Sequence, residues 1–150
     1  MRDRHAIPED DRRGPPLRAA VYIRVSTEEQ VEGHSLDAQR EAARSLLAQR
    51  GWSLAHEYVD AGHSARADAA RPAFEELMHD AGSGRFDVVI VDKVDRFYRH
   101  LRGLLASLDV LDDAGVGFVS VRENMDLSTP WGKLTLTVLG MLAEIYVDNL

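Results

Sequence analysis

AAVYIRVSTEEQ, residues 19–30, has the make-up of the first strand of an α/β domain running into a polar loop. Ala20, Val21, Ile23 and Val25 are apolar, and β-branched side chains suit a pleated surface. Side chains alternate along a strand, so Tyr22, Arg24 and Ser26 share one face. A strand inside a parallel sheet is normally apolar on both faces. An arginine there carries a heavy desolvation penalty unless something anionic meets it. The serine two residues on, at the strand's end, is placed as a nucleophile.

Outward from this strand, the chain alternates strands and helices. Ser35 or Asp37 can cap a helix running to about Arg50, with Ala38, Ala42, Ala43, Leu46 and Leu47 as its apolar stripe and Gly51 as its C-terminal stop. Trp52 to Val59 reads as a second strand ending at Asp60, and Ala61 to Ala70 as a mobile loop. Arg71-Pro72 opens the next helix, in which Phe74, Leu77, Met78 and Ala81 recur at helical spacing before Gly82 and Gly84. DVVIV, residues 87–91, is the best buried-strand signal and runs into DKVDRFYR. Leu101, Leu104, Leu105, Leu108 and Leu111 mark a helix closed by Gly115. Val116 to Val121 is a fourth strand, Glu123 to Ser128 a loop, and Thr129-Pro130 the start of a last helix.

The order β-α-β-α-β-α-β-α predicts an α/β fold: a mostly parallel β-sheet with helices on both faces. The last helix has one apolar stripe of Leu134, Val138, Met141, Leu142 and Ile145. A second consists of Leu136, Leu139, Ala143, Tyr146, Val147 and Leu150. Two stripes call for two partners: the sheet and, as one possibility, a second subunit. The helix has no closing signal at Leu150, so the expectation is a domain cut within a long C-terminal helix. Residues 1–18, polar with Pro15 and Pro16, are expected to form a flexible lead.

The 150 residues suffice for one domain with a proper core. Zero cysteines exclude disulfides, thiolate metal sites and a cysteine nucleophile. No apolar run approaches the roughly 20 residues that span a bilayer, and the charged N-terminus lacks a signal-peptide core. A cytoplasmic protein without membrane contact is the expectation. The net charge of −7 argues against gripping nucleic acid by bulk charge, though a small basic site can still handle one phosphate.

In an open α/β sheet, ligands sit at the carboxyl ends of the parallel strands. There the sequence gathers Arg24, Ser26 and Gln30 after strand one, Asp60 and then Arg71 after strand two, and Asp95, Arg96 and Arg99 after strand three. Guanidinium groups recognise phosphate through paired, charge-assisted hydrogen bonds and stabilise charge growing on phosphoryl oxygens. Each piece alone has a plainer structural reading, as a cap, a helix start or a salt bridge. Their joint placement at three strand ends points to serine attack on a phosphodiester without metal. There is no P-loop, hydrolase elbow or G-x-G-x-x-G, and the six histidines show no metal-ligand spacing.

YIRVSTEEQ, SLDAQ, YVDAGHSARADAARP, DVVIVDKVDRFYR and STPWGKLTLTVLGMLAE, in that order, resemble the catalytic domain of serine site-specific recombinases. These are the resolvases, DNA invertases and large serine integrases, and the likeness covers residues 19–150. The resemblance implies a resolvase-like three-layer fold with a long C-terminal helix. It implies that Ser26 attacks a DNA phosphodiester, giving a 5′-phosphoserine and a free 3′-hydroxyl. Arg24, Arg71, Arg96 and Arg99 match the phosphate-binding arginines, and Asp95 a candidate for proton transfer to the leaving oxygen. Gln30 and Gln39 match glutamines near the nucleophile that contact DNA, and Asp60 a supporting acid grouped with them. No cofactor or metal is implied. The implied partners are a double-stranded DNA recombination site and further copies of the chain, as a homodimer and a synaptic homotetramer. DNA-binding domains would lie C-terminal to this one, which answers the charge objection.

The gap between Gln30 and Gln39, through VEGHSL, is similar to that of the large recombinases from phages and mobile elements. Tyr146 stands where many relatives carry glutamate. Two other readings remain at this level: a catalytically inert recombinase-like module that assembles on DNA, and a metal-dependent nuclease built on Asp60, Asp92 and Asp95.

Overall fold

The computed structural model describes residues 16–26, 36–62, 71–97 and 101–126, with positions 130, 132, 134, 135, 137, 138 and 141. Residues 1–15 of the expected lead, 63–70 of the expected loop, Gln30, Arg99, Tyr146 and the second stripe expected for the last helix lie outside the described residues. The elements are β1 (Arg18–Ser26), α1 (Leu36–Arg50), β2 (Ser53–Gly62), α2 (Pro72–Ala81), β3 (Val88–Val91), α3 (Val94–Phe97), α4 (Leu101–Asp113), β4 (Gly117–Ser120) and β5 (Met125–Asp126). The described positions from 130 to 141 are helical.

The strands form one sheet in the order β2-β1-β3-β4-β5. The first four are parallel, and β5 pairs antiparallel with β4. The chain steps one way from β1 to β2, then crosses back over β1 to β3 and β4. Right-handed crossovers put helices on opposite faces when the stepping direction reverses. That is what the packing shows. On one face, Ala43 and Leu47 of α1 cover Ala19, Val21, Ile23 and Val25 of β1 together with Val88 and Ile90 of β3. On the other, Leu77 of α2, Phe97 of α3 and Leu104, Leu108 and Leu111 of α4 cover Ala20, Tyr22, Tyr58, Val89, Val91 and Phe118. All four residues of β3 are fully buried, as its unbroken apolar run requires of a central strand.

Helices α1 and α4 end alike. Gly51 and Gly115 adopt φ of 69° and 75°, a region where a side chain is strained. The following residue reaches back: Trp52 N–H donates to Leu47 O at 3.0 Å, and Val116 N–H to Leu111 O at 2.8 Å. Each of these is the 6→1 bond of a Schellman motif.

The structure departs from the sequence expectation in five places. Arg18, expected in the flexible lead, is the first residue of β1 and pairs with Ser53. Strand β2 runs on to Gly62, so Asp60 lies within a strand rather than at its end. A separate one-turn helix, α3, takes up part of DKVDRFYR before the long α4. Residues 125–126, expected in a loop, form β5. On α1 the buried position is Gln39, while Ala38 is exposed. Among the described residues, no helix is long and apolar enough to cross a membrane.

Candidate active site

The strand order reverses direction at β1, so the crevice between the carboxyl ends of β1 and β3 is the topological switch point, where open α/β sheets bind ligands. The register sharpens this. Tyr22 pairs with Val91, the last residue of β3. Strand β1 continues past that point, with Arg24 opposite Asp60 and Ser26 opposite Gly62 on its β2 side only. Arg24 and Ser26, both half-buried, therefore sit on the face of Tyr22 and beyond the end of β3, where α3 begins. Their shared face follows from strand alternation, and their place past β3 from the register.

Helix α3 carries the backbone of Asp95 and the buried Arg96 into this region. Arg99 and Gln30 are outside the described residues. Gln39 approaches from the opposite layer, on the buried face of α1. Its Nε2 donates to the backbone oxygen of Arg24 at 3.2 Å, which ties the end of β1 to that helix.

Asp60 and Arg71 meet through Tyr22. The Tyr22 hydroxyl donates to Asp60 Oδ2 at 2.7 Å and accepts from Arg71 Nε at 3.2 Å and Nη2 at 3.0 Å. Asp60, buried in β2, also accepts from the backbone N–H of Ala73 (2.9 Å) and Phe74 (3.0 Å). These are the orphan donors of the first turn of α2, which an N-cap side chain normally satisfies. Arg71 holds the N-cap position, and its side chain makes no capping bond. A carboxylate on the neighbouring strand does that work instead. The Arg71 guanidinium lies 4.1 Å over the Phe74 ring and donates to the backbone oxygens of Arg96 (3.4 Å) and Phe97, which links it to the end of α3. Burial pushes the Tyr22 phenol above its ordinary value. The nearby Arg71 charge opposes this, and the hydrogen bond to Asp60 adds to it.

Tyr22 is the residue of this network that the sequence reading left out of the site. It stands two positions before Arg24 on the same face, but a tyrosine in a strand reads equally well as core. Asp92, the third carboxylate of the nuclease reading, is buried and accepts from Arg122 Nε at 3.3 Å. Among the described residues, no group of three or more histidines and carboxylates is placed to hold a metal ion. What the arrangement offers is a serine and an arginine on a strand end, with a second arginine on α3 and a third, Arg71, tied to both elements.

A family model described as the N-terminal domain of resolvases matches residues 19–150. A probable DNA-invertase of Sinorhizobium fredii is 35% identical over 124 residues, which cover 83% of this chain and 36% of that protein. A DNA-invertase of Escherichia phage P1 is 32% identical over 124 residues, covering 83% of this chain and 59% of that protein. The chain thus spans from about a third to three-fifths of these relatives' length. Among solved structures, the N-terminal catalytic domain of TP901-1 integrase superposes with a TM-score of 0.73 at 34% identity, covering 87% of this chain and 97% of that one. A resolvase family site-specific recombinase from Streptococcus pneumoniae gives a TM-score of 0.74 at 34% identity, with 89% of each chain covered.

Proposed function

The chain belongs to the family of resolvase N-terminal domains, and on that premise we propose that it is the catalytic domain of a serine recombinase that cuts and rejoins DNA. Ser26 Oγ attacks the phosphorus of a DNA phosphodiester while its proton passes to water. The P–O3′ bond breaks, and the 3′ oxygen takes a proton through Asp95 to leave as a hydroxyl. The 5′ phosphate stays on Ser26. Attack by a 3′-hydroxyl on that phosphoserine reverses the step and joins new ends, so the bond energy is kept and no high-energy cofactor is needed.

In this reading Arg24, Arg71, Arg96 and Arg99 stabilise the charge on the transferring phosphoryl oxygens, work that fixed cations do without reorganising. Asp60 acts through Arg71 and α2 rather than on DNA, since its oxygens already serve Tyr22 and the helix. Gln39 holds the end of β1, and Gln30 lies along the DNA path. The observation that carries the reading is the place of Ser26 and Arg24: one face of β1, past the end of β3, at the switch point that α3 enters with Arg96.

The partners are duplex DNA bearing a recombination site and further copies of the chain, two per site and four in the synapse. The exposed apolar side chains of Leu134, Val138 and Met141 support such pairing. The site of action is the DNA-containing cytoplasm of a bacterium, as befits relatives from bacteria and their phages.

The test is covalent capture. Full-length protein incubated with supercoiled DNA carrying its site should yield a detergent-resistant protein–DNA adduct with free 3′-hydroxyls, and Ser26→Ala should yield none. An adduct from Ser26→Ala sinks the reading. Wild-type protein that assembles on the site without any adduct is instead the inert module. Arg24→Lys should lower the adduct rate by about 100-fold or more, because an ammonium does not reproduce a bidentate phosphate clamp. Cleavage should proceed unchanged in a chelator.

A further inference from the structure

The short helix α3 carries Asp95 and Arg96, yet four residues form too little helix to hold their own place. What fixes the segment from its N-terminal side is the turn at 121–124, between β4 and β5. Val121 N–H donates to Val91 O at 2.9 Å and Arg122 N–H to Asp92 O at 2.8 Å. Arg122 Nε reaches Asp92 Oδ1 at 3.3 Å. The last bond of the series is from Val94 N–H, at the first position of α3, to Glu123 Oε1 at 3.3 Å. The other carboxylate oxygen of Glu123 accepts from the hydroxyl of Ser120, a fully buried residue at the end of β4. Glu123 itself is exposed, so its role is not to fill the core. The turn is held by Asn124 at a φ of 51°, a left-handed conformation that asparagine tolerates better than most residues.

We infer that Glu123 is a positioning residue for the recombination chemistry: its carboxylate, braced by Ser120, holds the first N–H of α3 and so sets where Asp95 and Arg96 meet the phosphate. The inference rests on the function proposed above. A helix start leaves its first N–H groups without intrahelical acceptors, and an anion there both satisfies one and fixes the entry angle. Arg71 completes the hold from the far end through the carbonyls of Arg96 and Phe97. The segment is thus gripped at both ends by side chains from different elements.

Adduct formation by the full-length protein on its DNA site separates this role from simple structure. Glu123→Ala should slow the adduct step about tenfold while DNA binding stays at the wild-type level. Glu123→Gln keeps an oxygen for Val94 N–H and should restore most of the rate. Glu123→Asp is one methylene short of spanning Ser120 and Val94 and should be slow, which carries the test if the alanine variant is poorly folded. The inference is overturned if Glu123→Ala and Glu123→Asp cut at the wild-type rate. It is equally overturned if Glu123→Gln is as slow as Glu123→Ala, or if cleavage falls only in step with DNA binding. Absence of an adduct from the wild-type protein would instead count against the function on which the inference rests.

Discussion

At the scale of single residues, Tyr22 is the hub: one hydroxyl joins Asp60, Arg71 and, through them, the start of α2 and the end of α3. Tyr22→Phe leaves a buried carboxylate and a guanidinium each short of a partner, and should cost about 1–3 kcal/mol in denaturant unfolding. Its phenol is raised above the ordinary value of about 10 chiefly by burial, as is that of Tyr58, which donates to the buried Asp80 at 2.7 Å. A raised folded-state value favours the protonated form. The contribution is therefore complete below pH 10 and is lost as pH rises through the folded value, because the unfolded phenol ionises first. Stability measured from pH 8 to 12 should fall above about pH 10 in the wild type and fall less in Tyr22→Phe. Equal slopes would remove Tyr22 from the account. Arg24 and Ser26 were legible in the sequence because polar side chains at period two interrupt an apolar strand. The duties of Tyr22 and Asp60 were not, since their partners are backbone N–H groups and a side chain more than ten positions away, which no local pattern encodes.

At the scale of elements, legibility follows length. Strand β3 and helices α1, α2 and α4 announced themselves through unbroken apolar runs, helical spacing and terminal glycines. The four-residue α3 and two-residue β5 are shorter than any hydrophobic period, so tertiary bonds alone define them. On α1, Gln39 sat on the buried face among alanines and leucines, and the apolar count pointed to Ala38 instead. The glycine stops offer a clean comparison. A Cβ at Gly115 meets nothing within 4 Å, so Gly115→Ala should cost about 1 kcal/mol purely from the left-handed backbone. Gly82 caps α2 with φ of −69°, and a Cβ there makes only an ordinary contact with His79 O at 3.6 Å. Gly82→Ala should be neutral or stabilising by about 0.5 kcal/mol. Thermal or denaturant midpoints of the two variants check this, and equal losses at both positions would mean that backbone strain is not the cause.

At the scale of the whole molecule, the alternation of strands and helices was enough to predict a parallel sheet, but not the order of its strands. The order puts β1 beside β3, and it is this neighbourhood that brings the Ser26 strand end to the segment of Arg96. The same scale governs the last helix. Leu134, Val138 and Met141 recur at helical spacing and are 53%, 46% and 57% exposed, so the described side chains of this apolar stripe lie open. An acidic chain of net charge −7 repels its own copies, so any association has to come from such an apolar face rather than from bulk charge. Replacing Leu134 and Val138 together by glutamate should leave the melting temperature within about 2 °C, since neither side chain closes the core. Sedimentation of wild type and variant over a range of protein concentrations should then show concentration-dependent dimers in the first only. In the full-length protein the variant should lose adduct formation although Ser26, Arg24 and Arg96 are untouched. A variant that melts early would mean the face packs on its own domain. A variant that still forms adducts at the wild-type rate would mean that catalysis does not depend on this face.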